Sequence, residues 1–221
     1  MRFKFVFLLI FMSTSCFAQL PDGFVYVKDV IPNIEVELRY CTDNNFVGEA
    51  IDGYNENKAI LTEEAAASLK KVQAELEKEG LSLKIYDAYR PQRAVNHFVR
   101  WARQVDDTLK KAEFYPKVKK KNLFKAGYIA SKSRHSSGST IDLTIIDLKT
   151  GKELDMGSPY DFFGSESWVK NSNLGKVQRK NRKLLQNVML GNGFRNYPQE
   201  WWHFTLRGEP FRNEYFDFVV E

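Results

Sequence analysis

The sequence predicts an α+β fold: a single domain with a central, mainly antiparallel sheet flanked by helices. Three observations carry that expectation. Segments with strand and helix patterning do not alternate as repeated crossover units. No internal repeat or low-complexity linker divides the chain. A length of 221 residues, 43% hydrophobic and 28% charged, suits one globular core and argues against disorder.

The first element stands outside that core. "MRFKFVFLLIFMSTSCFAQ" opens with Arg2 and Lys4, continues with an apolar run from Phe5 to Met12, and ends in small residues. This is the layout of a secretory signal peptide over residues 1–18, cleaved after Ala18, and its apolar run is too short to span a bilayer. The expected mature domain is 19–221, exported to the periplasm and without a transmembrane segment. Cys16 offers a second route, as a lipidated cysteine, but "STSC" lacks the apolar residue usual three positions earlier. Removing the leader takes away Arg2, Lys4 and no acid. That leaves 31 basic against 28 acidic residues and a net charge of +3 in place of +5. So small a surplus argues against a nucleic-acid partner, and the run "KVKKK" at 117–121 reads as a solvated face. Cys41 is then the lone cysteine, so no internal disulfide can form.

Along the mature chain, "LTEEAAASLKKVQAELEKEG" (61–80) predicts a helix. Thr62 caps it, Glu63 and Glu64 suit its positive end, and Gly80 ends it. Ala65, Leu69, Val72 and Leu76 recur at helical spacing and mark its buried face. "LSLKIYDAYR" (81–90) follows as a half-buried strand in which Leu81, Leu83 and Ile85 alternate. A second helix is expected from Pro91, with Ala94, Phe98, Trp101 and Val105 turned inward. "IDLTIIDL" (141–148) is the clearest strand, "KTGK" a turn, and "ELDM" the returning arm of a hairpin. "NRKLLQNVML" (181–190) predicts a late helix closed by Gly191. "WWHFTL" (201–206) predicts the last strand, after the turn at Asn196-Tyr197-Pro198.

The chemistry gathers on few residues. His135 sits in the Ser/Gly turn "SRHSSGST", Asp142 follows seven positions later in an apolar strand, and His203 lies among aromatics. Two imidazoles and one carboxylate form a three-ligand set for a catalytic zinc, with a fourth position left for water. Taken singly, the plainer readings hold: an exposed turn histidine and a histidine packed under two tryptophans. Glu200 precedes His203 by three in "EWWH". In a strictly extended strand those two side chains would face opposite ways, so Glu200 is expected in the turn after Pro198. There it can exchange a proton with water at a metal and with a leaving amine; the alternative is an exposed strand-end glutamate. Arg90, in "YDAYRP", can stabilise an oxyanion, or simply pair with Asp87. His97 borders the apolar face of its helix and reads as a packing residue.

These segments resemble a known family. "SRHSSGSTIDLT" is similar to the SxHxxGxxxD segment of zinc D,D-peptidases, and "EWWH" to their ExxH segment. "RYCTDNNFVG", "IYDAYRP", "LDMGSPYDFF" and "EWWHFTL" resemble, in order, the blocks of the D-alanyl-D-alanine dipeptidase (VanX-type) family, from about Asp29 to Leu206. The resemblance implies one Zn2+ per chain on His135, Asp142 and His203, a zinc site on the sheet. It implies Glu200 as general base and then acid, and Arg90 as transition-state stabiliser. It further implies Asp161, helped by Tyr40, as the holder of the substrate's free ammonium, with Tyr128 and Ser133 near the peptide and its carboxylate. Arg134 stands where family members can have a small polar residue. The implied partner is a small dipeptide, hydrolysed to two D-alanines. Two other readings stay open: a carboxypeptidase or endopeptidase acting on cell-wall peptides, and a non-enzymatic wall-binding module on the same scaffold.

Overall fold

One sheet carries most of the residues singled out above. In a computed structural model, which describes residues 20–221, β1 (Phe24–Tyr26) and β3 (Ile60–Thr62) pair as a small antiparallel ribbon. The main sheet sets β2 (Glu35–Val36), β4 (Leu81–Asp87), β5 (Thr140–Asp147), β7 (Glu200–Leu206) and β6 (Phe194–Tyr197) side by side in that order. Only β2 and β4 run parallel, so the sheet is mainly antiparallel, as expected. The expected leader, residues 1–18 with Cys16, lies outside the described residues. Among the described residues, no helix is long and apolar enough to cross a membrane.

Helices flank the sheet. In α2 (Glu63–Glu77) the Thr62 hydroxyl accepts a hydrogen bond from the Ala65 amide, as a capping residue should. Ala65, Leu69, Val72 and Leu76 are buried, and Gly80, at φ +71°, turns the chain into β4. α2 also packs against α5 (Lys176–Gly191). That late helix starts five residues before the expected one, because the Gln178 side chain reaches back to accept from the Gly175 amide at 2.9 Å. α1 (Val27–Val30) and α4 (Lys111–Phe114) are single turns.

Three expectations need correcting. α3 (Gln92–Arg103) takes Pro91 as its N-cap and ends before Val105, which is 49% exposed and no part of a buried face. The hairpin arm at 153–156 shrinks to one bridge, Glu153 to Ile146, beside the hydrogen bond from the Leu154 amide to Ile145. Lys120 leaves the solvated face of its basic run. It is buried over the Trp101 ring, 3.9 Å from the centroid, with its ammonium on the Asp107 carbonyl at 2.6 Å.

Two irregularities in strand register matter most. β4 and β5 pair regularly from Leu81 to Ile85, then slip by one residue so that Asp87, and not Tyr86, faces Asp142. The extra residue is a β-bulge, and it turns Asp87 onto the face that Asp142 occupies. Across the next gap, Asp142 pairs with His203. Side chains directly opposite in an antiparallel pair share a face, so Asp87, Asp142 and His203 form a row across three strands. Where β6 meets β7, Asn196 pairs with Phe204 but the next residue, Tyr197, pairs with Glu200. Trp201, Trp202 and His203 are thus looped out of that ladder.

Candidate metal centre and active site

His135 is delivered to this row by a short 3₁₀ turn, Arg134–Ser137, that ends in Gly138 at φ +79°. A Cβ at Gly138 would lie 2.2 Å from the Phe24 ring, so only glycine fits that close approach. The Ser133 hydroxyl accepts from the His135 amide at 3.3 Å and starts the turn. The Nδ1–H of His135 donates to the Ala88 carbonyl at 2.7 Å, which leaves Nε2 as the free lone pair.

Three donor atoms then converge. His135 Nε2 lies 3.3 Å from Asp142 Oδ1 and 3.3 Å from His203 Nδ1, and the last two are 3.0 Å apart. Bonds of about 2.0–2.1 Å to a tetrahedral zinc would put ligand atoms about 3.3–3.4 Å apart, so the triangle has the right size. Asp142 Oδ1 is also buried without a hydrogen-bond partner of acceptable geometry. A buried carboxylate oxygen left bare is costly, and a cation at the centre of the triangle removes that cost. Burial acts to raise the Asp142 carboxyl, yet the two imidazoles prevail and hold it well below the usual range. The donor set fits a divalent metal, and the expected ligand triad is brought together.

Glu200 and Arg90 reach the same place from the ends of different strands, Glu200 beside His203 and Arg90 beside Asp142. Glu200 Oε2 is 3.4 Å from His203 Nδ1. The expectation that Glu200 lies in a turn is corrected, since it is the first residue of β7; the looped-out residues after it supply the change of direction that a turn was invoked for. Burial pushes its carboxyl above the ordinary value. Arg90 is gripped by Asp87, with Nε and Nη2 each 2.9 Å from Oδ2, and its Nη2 is 3.7 Å from Asp142. The Arg90 guanidinium also lies over the rings of Tyr40 and Phe98, at 5.1 and 5.3 Å. Pairing with Asp87 was the plainer reading of Arg90; here that pairing is what aims it.

A cavity of about 300 Å³ opens above these groups. Tyr40, Tyr128, Ser133, Arg134 and Asp161 all line it. Tyr128 stacks on Phe163 at 4.7 Å and forms part of the wall. Asp161 is 6% exposed and accepts from the Tyr40 hydroxyl at 2.7 Å. Its φ of +58° makes it the one described non-glycine residue with left-handed backbone, a conformation that costs roughly 1–2 kcal/mol. Burial, and then the charge of Asp142, push its carboxyl well above the usual range. An ammonium beside it would reverse that balance, because an opposite charge favours the carboxylate.

Several contributors were not singled out from the sequence. Tyr160 donates to Asp142 Oδ2 at 3.2 Å and stacks on Tyr86 at 4.6 Å. Tyr54 donates to Asp87 Oδ1 at 2.5 Å. Arg182, buried in α5, donates to the carbonyls of Met156, Glu166 and Trp168, and so fastens the loop that carries Asp161. All three act across 12 or more residues of sequence, and no local pattern marks them. His97 is no member of the triangle; it is buried, 3.0 Å from the Glu49 carboxylate, and accepts from the Asp52 amide at 3.2 Å.

A family model described as D-ala-D-ala dipeptidase matches residues 21–221. The chain belongs to that family of peptidases. It is similar to a D-alanyl-D-alanine dipeptidase of Enterococcus faecium, 40% identical over 199 residues, covering 90% of this chain and 98% of that relative. Relatives of the same name from Enterococcus faecalis and Streptomyces coelicolor are each 38% identical over 201 residues, covering 91% of this chain and all of theirs. The chain is therefore an enzyme, a metallopeptidase, and the triangle of His135, Asp142 and His203 could hold a metal ion.

Proposed function

We propose that this enzyme is a zinc-dependent dipeptidase that cleaves D-alanyl-D-alanine into two D-alanines, in the exported compartment that its leader indicates. The observation that supports this substrate best is the buried, left-handed Asp161 in the lining of the cavity. A dipeptide carries its free ammonium one residue from the scissile bond, and a shielded carboxylate there recognises it. A wall-trimming peptidase needs an open groove at that point instead.

His135, Asp142 and His203 would hold the zinc, which when bound supplies Lewis acidity and a water ionisable near neutral pH. Glu200 takes the proton from the attacking water and passes it to the departing amine, a role suited to a buried carboxyl of raised affinity for protons. Arg90, held rigid by Asp87, presents N–H donors to the carbonyl oxygen as it gains negative charge. Asp161 and Tyr40 fix the ammonium end, while Tyr128 and Phe163 exclude water from one wall.

An N-acetyl dipeptide has no charge to offer Asp161 and leaves it desolvated, at a cost of about 1–3 kcal/mol. Free D-alanyl-D-alanine should therefore be preferred over its N-acetyl form by roughly tenfold for each 1.4 kcal/mol of that penalty. Asp161→Asn should shrink the preference, chiefly by slowing the free dipeptide. Values of kcat/KM for both substrates, in both proteins, decide it. An unchanged ratio sinks the assignment.

A further inference from the structure

After β7 the chain runs through residues 207–221 with no helix and no strand beyond one bridge, Val220 to Tyr54. This segment nevertheless bonds to the turn that carries His135, to the stretch around Arg90 at the start of α3, and to the residues on either side of Tyr54. The Phe216 amide donates to the Ser136 carbonyl at 2.9 Å, and the Phe216 carbonyl accepts from the Gln92 amide at 2.9 Å. One residue thus joins the turn of His135 to the start of α3, two residues after Arg90. The direct hydrogen bond between those loops, Arg90 amide to His135 carbonyl, is longer at 3.3 Å.

Asp217 adds a charged fastening. Pro91 provides no side-chain cap for α3, and the Asp217 carboxylate does that work from a distance. Its Oδ1 accepts from the Arg93 amide at 2.6 Å and from Arg93 Nε at 3.0 Å. A carboxylate at a helix N-terminus satisfies free amides and suits the helix dipole. The Tyr89 hydroxyl donates to the Phe218 carbonyl at 2.9 Å, and the two rings stack at 4.0 Å. The Val220 amide donates to Gly53 at 2.8 Å, and its carbonyl accepts from Asn55 at 2.9 Å. These bonds bracket Tyr54, whose hydroxyl holds Asp87, the partner of Arg90. Upstream, the buried Glu209 carboxylate accepts from Ser137 at 2.9 Å and from Arg195 at 3.2 Å.

We propose that segment 207–221 is a positioning strap for the active site, in which the Phe216 peptide groups and the Asp217 carboxylate set Arg90 relative to the His135 turn. Neither residue touches substrate; each acts through the loop it fastens. A small misplacement of an oriented group can cost up to about 10²-fold in rate. Asp217→Ala should therefore lower kcat by roughly tenfold while KM and zinc content change little. Hydrogen exchange should quicken at residues 88–93 and 133–138 and stay unchanged in the β4–β5 ladder. Asp217→Glu, which keeps a carboxylate, should recover part of the rate. Phe216→Pro, which lacks the amide that Ser136 accepts from, should quicken exchange in the same two loops.

The rate arm rests on the dipeptidase reading, and the exchange arm does not. If wild type fails to cleave the dipeptide, that reading fails, and exchange confined to the two loops still supports the strap. Unaltered exchange in both loops for both variants overturns it. So does a fall in melting temperature with kcat intact.

Discussion

Two charged clusters share one face of the sheet, and their charges are balanced in opposite ways. Lys84 pairs with Thr144, two residues along β5 from Asp142, so it looks out from the same side as the metal-fitting triangle. Around its ammonium stand Glu35 and Glu153, each at 3.1 Å, with Glu37 in contact as well. Those carboxylates are about 40% exposed and keep much of their hydration. The triangle of His135, Asp142 and His203 is buried deeper, has no lysine or arginine among its three donors, and leaves Asp142 Oδ1 without a hydrogen-bond partner. The first cluster is complete within the chain. The second has a donor set that could hold a metal ion. That difference separates a charge cluster that stabilises a sheet from one that does chemistry, although both are built from ordinary charged residues.

Glu200→Gln probes the second cluster hardest. The amide keeps the shape of the side chain but cannot take up a proton, so zinc should stay bound while turnover falls about 10²–10⁴-fold. Metal analysis alongside kcat checks both halves, and a variant within a few-fold of wild type would remove Glu200 from the mechanism. Arg90→Lys should follow, with a smaller loss that falls mainly on kcat, because an ammonium does not reproduce the planar fork that Asp87 grips. A rise confined to KM would make Arg90 a binding residue only.

Lys84→Met should leave kcat and zinc content untouched. It should cost about 1–2 kcal/mol of stability, between the values for exposed and for fully buried pairs. Burial alone would lower the Lys84 ammonium's affinity for protons, but its hydrogen bonds to Glu37, Glu153 and Glu35 raise it above the ordinary value. A raised pKa stabilises the fold fully below the unfolded value of about 10.4, and that contribution is lost only as pH climbs through the folded value. The difference in melting temperature between wild type and variant should therefore be flat from about pH 6 to 9 and shrink above about 10.4. A loss of activity in this variant would break the contrast between the clusters.

The same contrast explains what the sequence made legible. Helix α2 follows its capping threonine, its closing glycine and its apolar spacing, all of them local. The ligand triad and Glu200 stand in short segments with recognisable spacing, so they too could be named. Asp87 was visible only as a neighbour of Arg90; that it faces Asp142 depends on a one-residue slip in β4 that alternation cannot announce. Glu200 shows the same limit, since the strand rule sent it to a turn and the looped-out residues of β7 kept it in the strand. Tyr54, Tyr160 and Arg182 act through contacts made only when distant segments meet.

One assay probes together a metal in the triangle and a D,D-dipeptide hydrolysed above it. The most direct measurement is D-alanine release from D-alanyl-D-alanine by the purified protein, by the same protein after chelation, and after return of about one equivalent of zinc. Release, its loss on chelation and its recovery with zinc are the expected outcome. Undiminished turnover by metal-free protein, or none by the zinc-loaded protein, would contradict it.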